Sequence, residues 1–193
     1  MFIFERIVFI FEHQDHWDPA AIAALDKTVP VLTQPGEGET IRKVGFTNVT
    51  EMGENISFEG TTIFRTSGRH GTGAIGKLMG HVSGFVFKSE GEPTLYIAGD
   101  TIWCEEVRQA LDKHHPDMTL VNAGGARFRQ GCPIIMNEDD VVSLCRYAPY
   151  TKVATIHMEA INHCFTTRAD LKDRLLAEGL EGRVLIPLDG EWF

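Results

Sequence analysis

Six residues share one context: His13, Asp15, His16, His70, Asp100 and His157 each stand at or just past the end of an apolar, strand-like run. Imidazole nitrogen and carboxylate oxygen are the donors that Zn²⁺ takes, and Mn²⁺ or Fe²⁺ accept the same set. The densest group is His13-Gln14-Asp15-His16, two imidazoles and a carboxylate within four residues, able to converge on one ion. Alone, that string fits a solvated polar turn as well as a metal loop. Asp100 follows Ile97-Ala98-Gly99, where a glycine lets the backbone approach closely; its bland reading is an N-cap for the next helix. His70 sits among the five glycines of residues 67–80, and His157 follows the apolar run 152–156. His163, six residues on, reads as an outer partner of the ligands or as a helix-start residue.

The elements that must position these residues alternate in type, which points to an α/β fold. Residues 7–11 read as a buried strand running into the His13 loop, and Asp18-Pro19 as a helix start leading into 20–27. Residues 29–33 form a short strand and 37–44 a helix closed by Gly45. Between 47 and 98 the short β-like pieces 48–52, 56–58, 61–66, 82–88 and 94–98 read as antiparallel meander strands. The loop 67–80, long for a compact domain, reads as functional. Alternation returns with helices at 102–113, 137–147 and 167–178 and strands at 118–122, 152–156 and 183–186. The candidate ligands thus fall at strand ends, the edge where α/β folds build sites. No repeat or linker interrupts the chain, so residues 1–193 read as one domain.

Composition narrows the function. Eighteen basic against 27 acidic side chains give a net charge of −9 over 193 residues. That balance argues against an electrostatic nucleic-acid binder and offers little to an anionic membrane, while leaving room for a local basic pocket. The apolar start, residues 1–11, carries Glu5 and Arg6 in its middle and no cleavage signal, so it reads as a strand and not a targeting segment. Cys104, Cys132, Cys145 and Cys164 form no C-x-x-C pair and read as reduced thiols of a cytoplasmic protein. His114 and His115 read as an exposed helix end.

The order of these motifs resembles the metallo-β-lactamase superfamily: H-x-D-H after a strand, a lone His, Gly99-Asp100-Thr101, then a His after a late strand. The segment His157-Met158-Glu159-Ala160-Ile161-Asn162-His163 resembles the subgroup of ascorbate-6-phosphate lactonase-like hydrolases. The resemblance implies a four-layer αββα sandwich with a metal site at one edge of the paired sheets. It implies that His13 and His70 bind a first ion, Asp15, His16 and His157 a second, and that Asp100 bridges both. Two features depart from the pattern. The family's usual Thr-His falls on Ile10 and Phe11, which removes one first-site ligand; Glu12 lies beside the gap. The signature loop also arrives by residue 13, so the first sheet is expected to be incomplete: the chain is a shortened form, its start is mis-assigned, or a homo-oligomer covers the exposed edge.

The activity so implied is hydrolysis by a metal-bound hydroxide of an ester, lactone or phosphoester bond in a small, anionic substrate. Asp15 or Asp100 would pass the proton to the leaving group, and Arg69, Arg127 and Arg129 are candidates to hold the anion. With Phe11 at a ligand position, the second-site ion is expected to be held more tightly than the first. The competing reading is a protein that keeps the fold and the metal but has lost turnover. A nuclease of the same superfamily fits poorly, because the chain lacks a basic clamp.

Overall fold

The structure, a computed structural model, describes residues 7–8, 16–129, 131–159 and 161–192. His13 and Asp15, with Ile10, Phe11 and Glu12, lie outside the described residues. The chain resolves into two compact units, Met1–Ile56 and Ser57–Phe193.

In the first unit, β1 (Ile7–Val8), β2 (Val31–Thr33) and β3 (Val49–Glu51) form a parallel sheet in that order. Helix α1 (Pro19–Ala24) starts as its sequence dictates. The Asp18 carboxylate accepts from the Ala21 N–H at 2.7 Å, and Pro19 needs no donor at the first helical position. Helix α2 (Gly38–Lys43) connects β2 to β3, and Gly45 reverses the chain after it at φ +101°. This corrects the expectation for residues 48–52. They are a parallel strand, because the intervening helix supplies the crossover that a parallel pair needs and a hairpin cannot. Val31, Ile41 and Phe46 are buried here, with Trp17 and Leu25 packed around them.

The second unit carries a seven-stranded mixed sheet in the order β10-β9-β8-β7-β6-β5-β4. Its strands are β4 (Asn55–Phe58), β5 (Thr61–Ser67), β6 (Ser83–Ser89), β7 (Leu95–Ile97), β8 (Met118–Asn122), β9 (Lys152–Ile156) and β10 (Val184–Leu185). β5, β6 and β7 pair antiparallel as the meander reading expects. β7 to β10 then run parallel, joined through α4 (Glu105–His114), α5 (Glu138–Tyr147) and α6 (Arg168–Ala177). Since β6 opposes both β5 and β7, strands β5, β7, β8 and β9 point the same way. Their C-terminal ends share one edge of the sheet. That topology fixes where the chemistry gathers.

Local sequence starts the helices. Asn137 caps α5 by accepting from Asp140 N–H, and Thr167 with Asp170 forms a capping box on α6. Burial of Tyr96, Val107, Leu111, Val121, Leu144 and Leu171 builds the core between sheet and helices. Residues 67–80 are not the bare loop that the sequence suggests: they contain α3 (Gly73–Met79), entered at positive φ through Gly71 and Gly73. His114 is not exposed either. Only 7% of its surface is accessible, its ring lies 4.9 Å from Phe64, and burial lowers its pKa. Among the described residues, no helix is long and apolar enough to cross a membrane.

Candidate metal centre

The shared edge brings His70, Asp100 and His157 out of separate strands: His70 after β5, Asp100 after β7, His157 after β9. His70 is 3% exposed and Asp100 2%. The His70 Nδ1 lies 2.8 Å from the carbonyl oxygen of Ile134, which can only accept. The ring proton therefore sits on Nδ1, and Nε2, 3.6 Å from Asp100 Oδ2, is the atom presented to the carboxylate. A second contact fixes Asp100: the Asn122 side-chain amide donates to its Oδ1. His157 and Asp100 offer ligand atoms within 4.8 Å of each other. Asp100, after β7, thus lies near an imidazole from either side of the sheet, His70 after β5 and His157 after β9.

The backbone is strained to achieve this. His157 is in the left-handed region at φ +58° and Glu159 at φ +62°. Non-glycine residues seldom hold that conformation, and they concentrate where a site over-determines it. Gly124 explains part of the determination, since a Cβ there would stand 2.4 Å from the His157 carbonyl oxygen. Gly99 precedes Asp100 at φ +72°, as the sequence suggests for a turn of close approach. The N-cap reading of Asp100 is not met. Helix α4 begins five residues later, with Cys104 in the cap position.

Thr101 binds the two loops together. Its hydroxyl accepts from the Arg69 N–H at 2.9 Å and donates to the Ile102 carbonyl, while the Ile102 N–H donates to the Arg69 carbonyl at 2.9 Å. His70 and Asp100 are therefore held by one short stretch of cross-linked backbone. Beside them opens a cavity of about 450 Å³ lined by His70, Arg69, Lys77, His81 and the loop glycines. That volume lies in the range of small-molecule sites.

The remaining candidates have surroundings of their own. His16 is half-buried in the turn before α1, within the first unit. The Arg69 guanidinium pairs with Glu106 at 2.9 Å. Arg127 stacks its guanidinium 4.6 Å above the Phe165 ring, and Arg129 is exposed. His163 is half-buried; its Nδ1 lies 3.4 Å from Asn162 Oδ1, and its carbonyl accepts from Arg127 N–H at 3.1 Å. Sequence reasoning missed Asn122, Gly124 and the Ile134 carbonyl. Asn122 alone left a signal, as a polar residue closing a largely apolar strand at the same edge.

Two imidazoles and a buried carboxylate suit a divalent ion of the zinc type. The His70–Asp100 spacing fits as well. Two ligands about 2.0–2.2 Å from one tetrahedral ion stand about 3.4 Å apart, close to the 3.6 Å seen.

The comparisons with known proteins agree with this chemistry. No family model matches the chain. An isothiocyanate hydrolase from Delia radicum gut bacteria is 36% identical, with a TM-score of 0.92 over 97% of this chain and 75% of its own. A possible metal-dependent hydrolase from Veillonella parvula is 32% identical, with the same TM-score over 97% of this chain and 74% of its own. The metallo-β-lactamase fold protein YhfI from Bacillus subtilis, 13% identical with a TM-score of 0.69 over 95% of this chain and 74% of its own, shares the fold. The class is a metal-dependent hydrolase of the metallo-β-lactamase fold. Within it, the UPF0173 protein YddR from Bacillus subtilis (strain 168) is 33% identical over 97% of this chain and 74% of that relative. The chain belongs to the UPF0173 family, and it spans about three quarters of the length of these relatives.

Proposed function

We propose that the chain hydrolyses a small electrophilic substrate at one or two divalent ions, zinc in the first instance, with Mn²⁺ or Fe²⁺ as substitutes. His70, Asp100 and His157 are three of the ligands, and His13, Asp15 and His16 of the signature loop supply the rest. The observation that supports this most is the buried pair of His70 and Asp100, with His70 Nδ1 engaged by Ile134 and Nε2 turned to the carboxylate. A bound divalent ion acidifies water to a pKa of roughly 7 and polarises the electrophile. The chain's own residues then orient and relay. Asn122 holds Asp100, Thr101 holds the His70 loop, and Asp15 or Asp100 carries the proton toward the leaving group.

The substrate bond in this reading is an ester, lactone or phosphoester, with Arg69 at the cavity and Arg127 and Arg129 as further candidates to hold an anionic group. A second substrate class has its own support: the relative that is 36% identical over nearly the whole chain is an isothiocyanate hydrolase. An isothiocyanate carbon is a neutral electrophile that water attacks, and it needs no arginine clamp. We place both units in one domain and the chain in the cytoplasm. Free Cys104, Cys132, Cys145 and Cys164 suit that compartment, and a second copy would cover an open sheet edge.

The test is a substrate panel of a lactone, a phosphodiester, a thioester and benzyl isothiocyanate, with added Zn²⁺ or Mn²⁺. Metal-dependent turnover that Asp100→Ala abolishes supports the enzyme. Metal binding without turnover on the whole panel supports the alternative, a protein of this fold impaired by Phe11 at a ligand position.

A further inference from the structure

Asn122 is an uncharged polar side chain in direct hydrogen-bond contact with the Asp100 carboxylate. It closes β8, paired in register with Ile156 just before His157, and it is 4% exposed. Its amide nitrogen donates to Asp100 Oδ1, while the other carboxylate oxygen, Oδ2, faces His70 Nε2. We infer that Asn122 is a positioning residue that fixes the torsion of Asp100 and assigns Oδ2 to the ion, an inference that rests on Asp100 being a ligand.

Three arguments carry it. A carboxylate rotates freely about its last torsion unless one oxygen is held, and a buried amide bonded to Oδ1 holds it. The partner is neutral, so the aspartate keeps its full negative charge for a cation, which a lysine or arginine in the same place would offset. The geometry is also anchored from both sides. Asn122 belongs to the parallel strand between β7 and β9, so its Cα is fixed relative to the strand ends that carry Asp100 and His157. Outer partners of this kind typically contribute 10- to 100-fold to metal affinity.

The experiment measures Zn²⁺ affinity by competition with a chromophoric chelator, using full-length protein stripped of metal and its variants. Asn122→Leu keeps the branched heavy-atom frame and removes the donor; a 10- to 100-fold loss of affinity is expected. Asn122→Ser keeps a donor and is expected to bind several-fold more tightly than Asn122→Ala, which keeps none. That second comparison decides the matter if the leucine variant fails to fold, and equal affinities of the serine and alanine variants overturn the inference. Asp100→Ala separates the two readings. If it binds Zn²⁺ as the parent does, Asp100 is no ligand and the underlying reading falls with the inference. If it loses the ion while a folded Asn122→Leu keeps full affinity, only the positioning role is overturned.

Discussion

The Nε2 of His70 stands 3.6 Å from Oδ2 of Asp100, both side chains almost wholly buried and each held from behind by a separate partner. At that spacing the two atoms are beyond a strong direct hydrogen bond and within the span of two ligands on one ion. The rest of the site is arranged to preserve this relationship. Ile134 fixes the histidine, Asn122 the aspartate, and Thr101 the backbone between their loops.

His157 separates ligand chemistry from backbone strain. Its φ of +58° costs about 1 kcal/mol in a residue with a side chain. His157→Gly is therefore expected to melt at the same temperature as the metal-free parent or about 2–4 °C above it. The same variant is expected to lose Zn²⁺ affinity. Thermal melts of stripped protein beside a chelator titration check both halves. A variant that binds the ion normally excludes His157 as a ligand.

Gly124 should tolerate nothing larger. A methyl group there meets the His157 carbonyl oxygen at 2.4 Å and the Cys164 sulfur at 2.8 Å, so Gly124→Ala must displace backbone. We expect about 2 kcal/mol of destabilisation in urea and a matching fall in metal retention. A variant with parental stability and metal content would contradict the close approach.

His114 gives the fold an acid-sensitive element remote from the chemistry. Burial, then the charges of Lys88 and Lys113, hold its pKa below the ordinary value of 6.5. The unfolded chain therefore binds the proton first. The associated stability is present above about pH 6.5 and falls away as pH drops below it. His114→Phe, placed against Phe64, should flatten the loss between pH 7.5 and 5.5 in urea denaturation. An unchanged pH slope would assign the acid sensitivity to other groups.

Much of this was legible in the sequence because it depends on local rules. The Asp18-Pro19 start, the strand limits 118–122 and 152–156, and the helices that begin near 137 and 167 follow from local sequence pattern. Motif order located His70, Asp100 and His157. Hidden from it were relations that only the sheet creates: the parallel pairing of Val49–Glu51, the burial of His114 under Phe64, and the amide of Asn122 across from Asp100.

Phe11 bears on stoichiometry. In the proposed arrangement, with that residue in place of a ligand, an ion at His13, His70 and Asp100 would have fewer donors than one at Asp15, His16, Asp100 and His157. Stepwise chelation followed by elemental analysis should remove one ion well before the other. Two ions lost together would show the sites to be equivalent.

The most direct test is anomalous diffraction at the zinc edge from crystals of protein never exposed to chelator. A peak about 2.0–2.2 Å from an Asp100 oxygen and from a nitrogen of His70 or His157 is the predicted result. A metal-loaded crystal whose peaks touch none of these three residues would contradict the account.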